Sequence, residues 1–365
     1  MSSTAVQTPS RSRTVLGGES GTWLGIDIGA SAIKLAQVAK HRDHWTLLVS
    51  HLIPAGAVNI DRSGLDRGLL LEVFRERLTR MARPDAQDAA CVLSAALIAL
   101  NTFELPPGTP EEIRQMIEAE LAGLGEINPE FGSFENEGPA GSSGMLQHTV
   151  VSLPTTTASV ITENLWELGY ACQAIDGLPC IHARAACLAE RGVSADTIGV
   201  LDWGATTPML TIVSRGRPIF TRVLRDCGLN GPVQSTAARI RFETDELHEL
   251  LMASGQSLEF GPLATARSVE ILRDLAERCV QRLEPELQRT LRFLRRQSKE
   301  LVPSRLIVLG GGALLPEIDA RLSDALQIPT AIWRLPGGRK GEGQSDLMQA
   351  VFASAIALST LGAKS

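Results

Sequence analysis

The chain lacks the signatures that would place it quickly. It has no Cys-x-x-Cys pair: Cys91, Cys172, Cys180, Cys187, Cys227 and Cys279 are scattered. That excludes the usual zinc spacings and points to reduced thiols in the cytosol, most of them acting as small buried hydrophobes. No apolar run reaches the about 18 residues that a membrane span needs. The opening MSSTAVQTPSRSRTVLGGESG has Ser, Thr and Arg but no apolar core. It is not a secretory signal, and residues 1–22 read as a disordered tail. A net charge of −6 offers no electrostatic case for nucleic acid. The patterns GxxxxGK[ST] and GxGxxG are both absent, so neither a P-loop nor a Rossmann dinucleotide site is supported. No Ser/His/Asp arrangement is legible, and the six histidines fall in unrelated loops and helices with core or solvated roles.

What the chain does have is one motif twice. WLGIDIGASAIKLAQVAK spans 23–40, and IGVLDWGATTPMLTIVSRG spans 198–216. Each is an apolar run, then Asp-x-Gly-Ala-[Ser/Thr], then a second apolar run. Each copy reads as a β-meander. The first has strands over 23–28, 33–38 and 45–53, with a sharp turn at Gly29 and a polar turn at 41–44. The second has strands over 198–202, 208–213 and 218–224. With 365 residues and 44% hydrophobic content, two facing half-domains are the natural arrangement.

Between the copies, residues 65–81 follow a helical period, with Leu65, Leu69, Val73 and Leu78 on one face. The segment 91–100 reads as one strand or two. A helix follows Thr109, which is placed to cap it, with Pro110 at its first position and acids in its first turn. Then come a loop at ENEGPAGSSG, a strand at 148–154, a helix ending at Gly169 and a strand at 170–176. This α+β block, 86–176, is expected to be an inserted subdomain. The first half is expected from 23–85, 177–194 and 345–363, and the second from 195–344 with a helical part over 231–300. Within that part, 231–251 and 264–300 are expected helices. Leu283, Leu287, Leu291 and Leu294 lie at core spacing. Arg282, Arg289, Arg292 and Arg296 are interleaved with Glu284, Glu286 and Glu300, the pattern of a solvated amphipathic helix. RLIVLGGGALLPEIDARLSDALQIPTAIW, 305–333, reads as strand, triple glycine, helix, strand. A last helix over 346–362 has Ser345 as its cap.

Two Asp-x-Gly turns facing one another suit a phosphate chain and a metal ion. Backbone amides beyond Gly29, Ala30, Gly204 and Ala205 can approach phosphate oxygens unobstructed, and Ser31, Thr206 and Thr207 add hydroxyl donors. Asp27 and Asp202 would hold a hydrated magnesium, which takes few protein ligands. Lys34 can reach a phosphate as a point charge. Gly310, Gly311 and Gly312 would carry the nucleoside end. Each signal is weak alone; their order and the duplicated hairpins strengthen them.

This set resembles the actin, hexokinase and heat-shock-chaperone ATPase superfamily from about residue 23 to 362. Within it, GIDIGASAIKLAQV, FELPPGTPEEIRQMIEAEL, GRPIFTRVL and GGGALLPEIDARLSDALQIP resemble the PilM family of type IV pilus assembly proteins, related to FtsA. The resemblance implies an α/β duplicated actin-like ATPase fold. Two ribonuclease-H-like halves would surround a nucleotide cleft, with an inserted α+β subdomain in the first half. It implies ATP and Mg2+ as ligands at Asp27, Gly29, Ser31, Lys34, Asp202, Gly204 and Thr206, with Asp202 the family-like choice for holding an attacking water. It also implies a cytoplasmic scaffold of type IV pilus or related type II secretion assembly, peripheral to the inner membrane. The partner would be the short N-terminal cytoplasmic tail of a PilN-like membrane protein, held in a groove between the inserted subdomain and its neighbour, alongside other assembly proteins. The chain departs from the family at RDCGLNG, where Gly228 and Gly231 are separated. TDELHELL has Asp245 and Glu246 but no lysine, and the bulky Trp203 stands in the second phosphate turn. At most a slow ATPase is expected. A small-molecule kinase and an FtsA-like filament former are the alternatives, the second weakened because that family carries a membrane-binding helix beyond the core.

Overall fold

The computed structural model describes residues 23–41, 44–54, 86–136, 144–256, 266–336 and 346–362. The expected tail at 1–22, the helix over 65–81, the loop at 337–344 and the Ser345 cap lie outside the described residues.

Two five-stranded sheets share one topology. The first has β1 (Leu24–Ile28), β2 (Ala32–His41), β3 (His44–Pro54), β4 (Asp88–Leu93) and β8 (Ala171–Asp176), in the order β3-β2-β1-β4-β8. The second has β9 (Ile198–Asp202), β10 (Met209–Ser214), β11 (Arg217–Val223), β12 (Arg305–Leu309) and β13 (Thr330–Ile332), in the order β11-β10-β9-β12-β13. In both, the central strand pairs antiparallel with the next strand in sequence and parallel with the strand on its other side. Central strands covered on both faces carry apolar runs rather than alternation. LGIDI is buried throughout, and IGVL is buried up to Asp202. The β10–β11 turn places Arg215 and Gly216 at φ 48° and 74°, the backbone hand that a two-residue hairpin turn needs.

A third sheet, β5-β7-β6, is formed by β5 (Ala99–Leu105), β6 (Pro129–Glu135) and β7 (Leu146–Pro154). Helix α1 (Pro110–Gly123) covers it, and Leu105, Ile117, Leu121, Phe131 and Val150 form its own core. Thr109 and Glu112 make a reciprocal capping box at the start of α1, as the Thr-Pro-Glu-Glu run predicts. Two corrections arise here. The ends of 86–176, β4 and β8, belong to the first sheet: β4 pairs parallel with β1, and β8 pairs parallel with β4. The segment that builds its own sheet is 99–154. Strand β6 went unseen in the sequence because PEFGSFE carries proline and glycine, which edge strands tolerate.

Helix α2 (Thr155–Glu167) leads into β8, and α3 (Leu178–Ala189) leads from the first sheet toward the second. The second half adds α4 (Asn230–Ile240), α5 (Thr244–Gln256), α6 (Ala266–Gln297) and α7 (Ile318–Leu326). The expected single helix over 231–251 is broken at Arg241, whose left-handed φ of 60° ends α4. The C-terminal segment is likewise two helices, α8 (Asp346–Val351) and α9 (Ala353–Ser359), divided at Phe352. Helix α9 is buried along its length and returns to the first sheet. Ser359 Oγ donates to the Trp23 carbonyl at 2.6 Å and accepts from Val38 N at 3.0 Å. One hydrophobic core runs through both five-stranded sheets and the helices between them.

Candidate functional site

Asp27 is the last but one residue of β1 and Asp202 the last of β9, at matching positions of the repeated motif. Across the hairpin, Asp27 faces Lys34 and Asp202 faces Met209. The side chains at the first position meet: Lys34 Nζ lies 2.8 Å from Asp27 Oδ2, both largely buried. At the second, Asp202 Oδ2 is 3.5 Å from His182 Nε2 on α3. That is an ion-pair distance, too long for a good hydrogen bond. His182 is fully buried, and its Nδ1 is 2.9 Å from Thr211 Oγ1 on β10.

These groups feel one another. Burial pushes the Asp27 carboxyl up; Lys34 pulls it down, Asp202 pushes it further up, and it rests above the usual range. Burial alone would depress Lys34, but the Asp27 and Asp202 charges hold it raised. Burial would raise Asp202, but His182 and then Lys34 hold it below the usual carboxylate range. By linkage, Asp202 contributes stability above the ordinary carboxylate range that is lost as pH falls through its lowered value. Lys34's contribution is complete below the ordinary lysine value and is lost as pH rises through its raised one. Asp27 runs the opposite way to Asp202, since its ionisation costs the folded state.

The phosphate-turn candidates divide. Gly29 N donates to Ala32 O at 3.0 Å, so this amide closes the hairpin. Ser31 is exposed, with Ala30 half-buried beside it. In the second turn, a Cβ on Gly204 would meet nothing. Nothing in the protein itself requires glycine there, so the position fits a backbone left bare for a ligand. Thr206 is exposed and Ala205 and Thr207 half-buried, with the two hydroxyls 3.1 Å apart. The glycine cluster sits against the same turn. Gly310, at φ 82°, leaves room for Asp202 Oδ1, where a Cβ would come within 2.6 Å. Gly311 borders Leu229, and Gly312 is buried where a Cβ would strike the Trp203 ring at 2.6 Å. Gly312 therefore serves packing.

Trp203 is the plainest correction. It was expected to crowd the phosphate turn; instead it is wholly buried, with Nε1 donating to Cys227 O at 2.9 Å. Strand alternation carries Asp202 to the cleft side and Trp203 to the other. The separated glycines also have distinct tasks. Gly228 backs onto the Ala205 and Thr206 carbonyls, and Gly231 onto the Arg282 guanidinium. Glu246 accepts from Glu243 N at 2.9 Å, so it caps α5. His182 was missed, because in LPCIHARAAC it looks like one polar residue on an apolar helix.

As a donor set, two carboxylates held near a bare turn fit a hydrated magnesium with phosphates. Among the described residues no group of three or more His, Cys, Asp or Glu could enclose a metal. Water would have to complete the shell, which magnesium favours. Lys34, expected to reach a phosphate, is paired with Asp27.

No protein-family model matches the chain. Its fold is similar to the solved structure of a PilM–PilN type IV pilus biogenesis complex, with a TM-score of 0.73 at 20% identity, over 94% of this chain and 99% of that one. The chain has the duplicated actin-like fold. The ethanolamine utilization protein EutJ from Carboxydothermus hydrogenoformans shares it at a TM-score of 0.52 and 13% identity, over 92% of this chain and 88% of that one. No helix among the described residues is long and apolar enough to cross a membrane.

A concave feature lies on the far side of α3 from His182. A cavity of about 480 Å³ is bounded by β6 from Phe131 to Glu135, by Asp176, by Arg184 and Cys187 of α3, and by the Arg215–Pro218 turn. β6 is an edge strand. Asp176 is buried; its Oδ1 accepts from Gly177 N at 2.7 Å while Oδ2 has no partner. Burial pushes this carboxyl up, against Gly177 N and Arg184, which lower it.

Proposed function

We propose that this protein is a PilM-like scaffold of type IV pilus or related type II secretion assembly. In this reading it works in the cytoplasm and reaches the inner membrane by binding the short cytoplasmic tail of a PilN-like protein. The cavity beside β6 carries the reading, on a chain whose fold extends over nearly the whole of a PilM-containing structure. An extended peptide can add to an unpaired strand edge, its backbone satisfying the edge and its alternate side chains entering the pocket. The apolar floor of Leu93, Ile98, Val151 and Leu153 suits aliphatic side chains, and Asp176 Oδ2 suits a hydrogen-bond donor.

In the cleft, Asp27 and Asp202 would hold magnesium, and the Gly29–Ser31 and Gly204–Thr207 turns would line the phosphates of ATP. Gly310 and Gly311 would border the nucleoside. Magnesium would supply charge neutralisation of the phosphates. Lys34 sets the charge of Asp27, and His182 holds Asp202 ionised. Among these residues no general base stands out, which favours ATP as a bound regulator over a fuel.

The test is calorimetric titration of a synthetic PilN-like N-terminal tail into the protein, with and without Mg-ATP. Saturable binding is expected, weakened roughly tenfold or more by Arg217→Glu or Gly132→Pro at the cavity wall. No binding under either condition sinks the partner assignment.

A further inference from the structure

We propose that His182 is a positioning residue through which the cleft and the cavity are coupled. The inference rests on the functional reading above and adds the route by which nucleotide would regulate the peptide site. Helix α3 has two working faces. Arg184 and Cys187 line the cavity, joined one turn earlier by Cys180 and Ala183. The opposite face carries His182, buried with Ile181, Ala185 and Ala186. His182 on that face meets Thr211 of β10 and Asp202 of β9, and Ala185 O accepts from Trp333 Nε1.

His182 touches both other parts of the connection. Its Nε2 has no hydrogen-bond partner and stands 3.5 Å from Asp202, the cleft acid. Its Nδ1 is bound to Thr211 of β10. Strand β10 runs on into the Arg215–Pro218 turn, which forms another wall of the cavity. That turn also packs on α3 directly: a Cβ on Gly216 would come 3.1 Å from Cys187 Sγ. One imidazole thus ties the cleft carboxylate to two cavity walls. An interior packed at this density passes a displacement on instead of absorbing it. When Asp202 takes a ligand, the pull on His182 moves α3 and β10 together. Coupling of this kind is reciprocal, so a peptide in the cavity alters nucleotide affinity by the same factor.

The test measures the cavity walls without needing the partner. Hydrogen–deuterium exchange is followed in residues 178–189 and 214–218 of the full chain, with and without magnesium and the ATP analogue AMPPNP. Calorimetry records nucleotide binding in parallel. In the wild type the analogue should change exchange in both segments by roughly fivefold or more. His182→Asn keeps the reach toward Thr211 but not toward Asp202; it should bind nucleotide more weakly, since His182 also supports the Asp202 charge, and at saturating nucleotide it should still lose that response. His182→Gln places an amide where Nε2 stood and should restore it, a rescue that a purely structural histidine would not show. Thr211→Val, nearly isosteric, removes the other anchor and should lose the β10 response even if the His182 variants fail to fold. Full wild-type responses in His182→Asn and Thr211→Val overturn the proposal. So does nucleotide binding by the wild type with both segments unchanged. A wild type that binds no nucleotide sinks the functional reading itself, and calorimetry tells that failure apart.

Discussion

Gly25→Ala should destabilise the protein by about 3 kcal/mol. Gly25 is the second residue of β1, where α9 packs on the strand. An added Cβ would stand 2.8 Å from the Ala355 carbonyl carbon and 2.9 Å from Ser359 N, and closer still to the Ala355 oxygen. All three are backbone atoms, so no rotamer change relieves the clash and strand and helix must part. That separation would also strain the Ser359 bridges to Trp23 and Val38. Urea denaturation of the variant should show a lowered midpoint with an unchanged slope. A midpoint equal to wild type would mean that α9 does not sit on β1.

Asp27→Asn should abolish most magnesium-dependent ATP binding, by roughly 100-fold or about 2.7 kcal/mol, while leaving the fold intact. Asparagine removes the charge but keeps the shape and an acceptor for Lys34, and the Asp202 charge remains near the buried ammonium. Both Asp27→Asn and Asp27→Ala remove the counter-charge 2.8 Å from Lys34, but Asp27→Ala is the poorer test because it also removes the hydrogen-bond acceptor and leaves the ammonium beside a void. Gly204→Val separates shape from charge. Its side chain would extend into open space, so stability should hold while nucleotide binding falls. Calorimetric titration of ATP, with magnesium and with chelator, reads both variants. If Asp27→Asn binds Mg-ATP within threefold of wild type, the metal role of the cleft is wrong. If Gly204→Val loses stability instead of affinity, the bare turn is a packing device.

How far the site was legible depends on how each residue acts. Asp27 and Asp202 were found because each ends an apolar run and precedes a glycine turn, a local pattern that repeats. Lys34 was named for a phosphate, and the structure adds a contact the sequence did not show, its ion pair with Asp27. Seven residues of separation is compatible with reaching outward, and only the β1–β2 register puts it directly across from Asp27. Trp203 was judged by size in a turn, whereas strand alternation and the hollow over Gly312 take it inside. His182 carried no signal at all. Its neighbours, Thr211 and Asp202, lie 29 and 20 residues away along the chain (211 − 182 and 202 − 182) and reach it across a sheet and a helix.

The two meanders, the capped helix α1 and the repeated Asp-x-Gly turns were legible in the amino-acid sequence, because they rest on short-range causes: side-chain period, backbone freedom at glycine and capping chemistry; the duplicated actin-like plan came through the resemblance to a known superfamily. The tertiary structure alone decided that β4 and β8 complete the first sheet, that Lys34 neutralises Asp27, that Trp203 is core, and that one face of α3 meets Asp202 while the other walls a cavity. Those outcomes depend on which distant segments share a layer. Pairing partners and burial are set by the whole chain's packing, which no window of neighbouring residues contains.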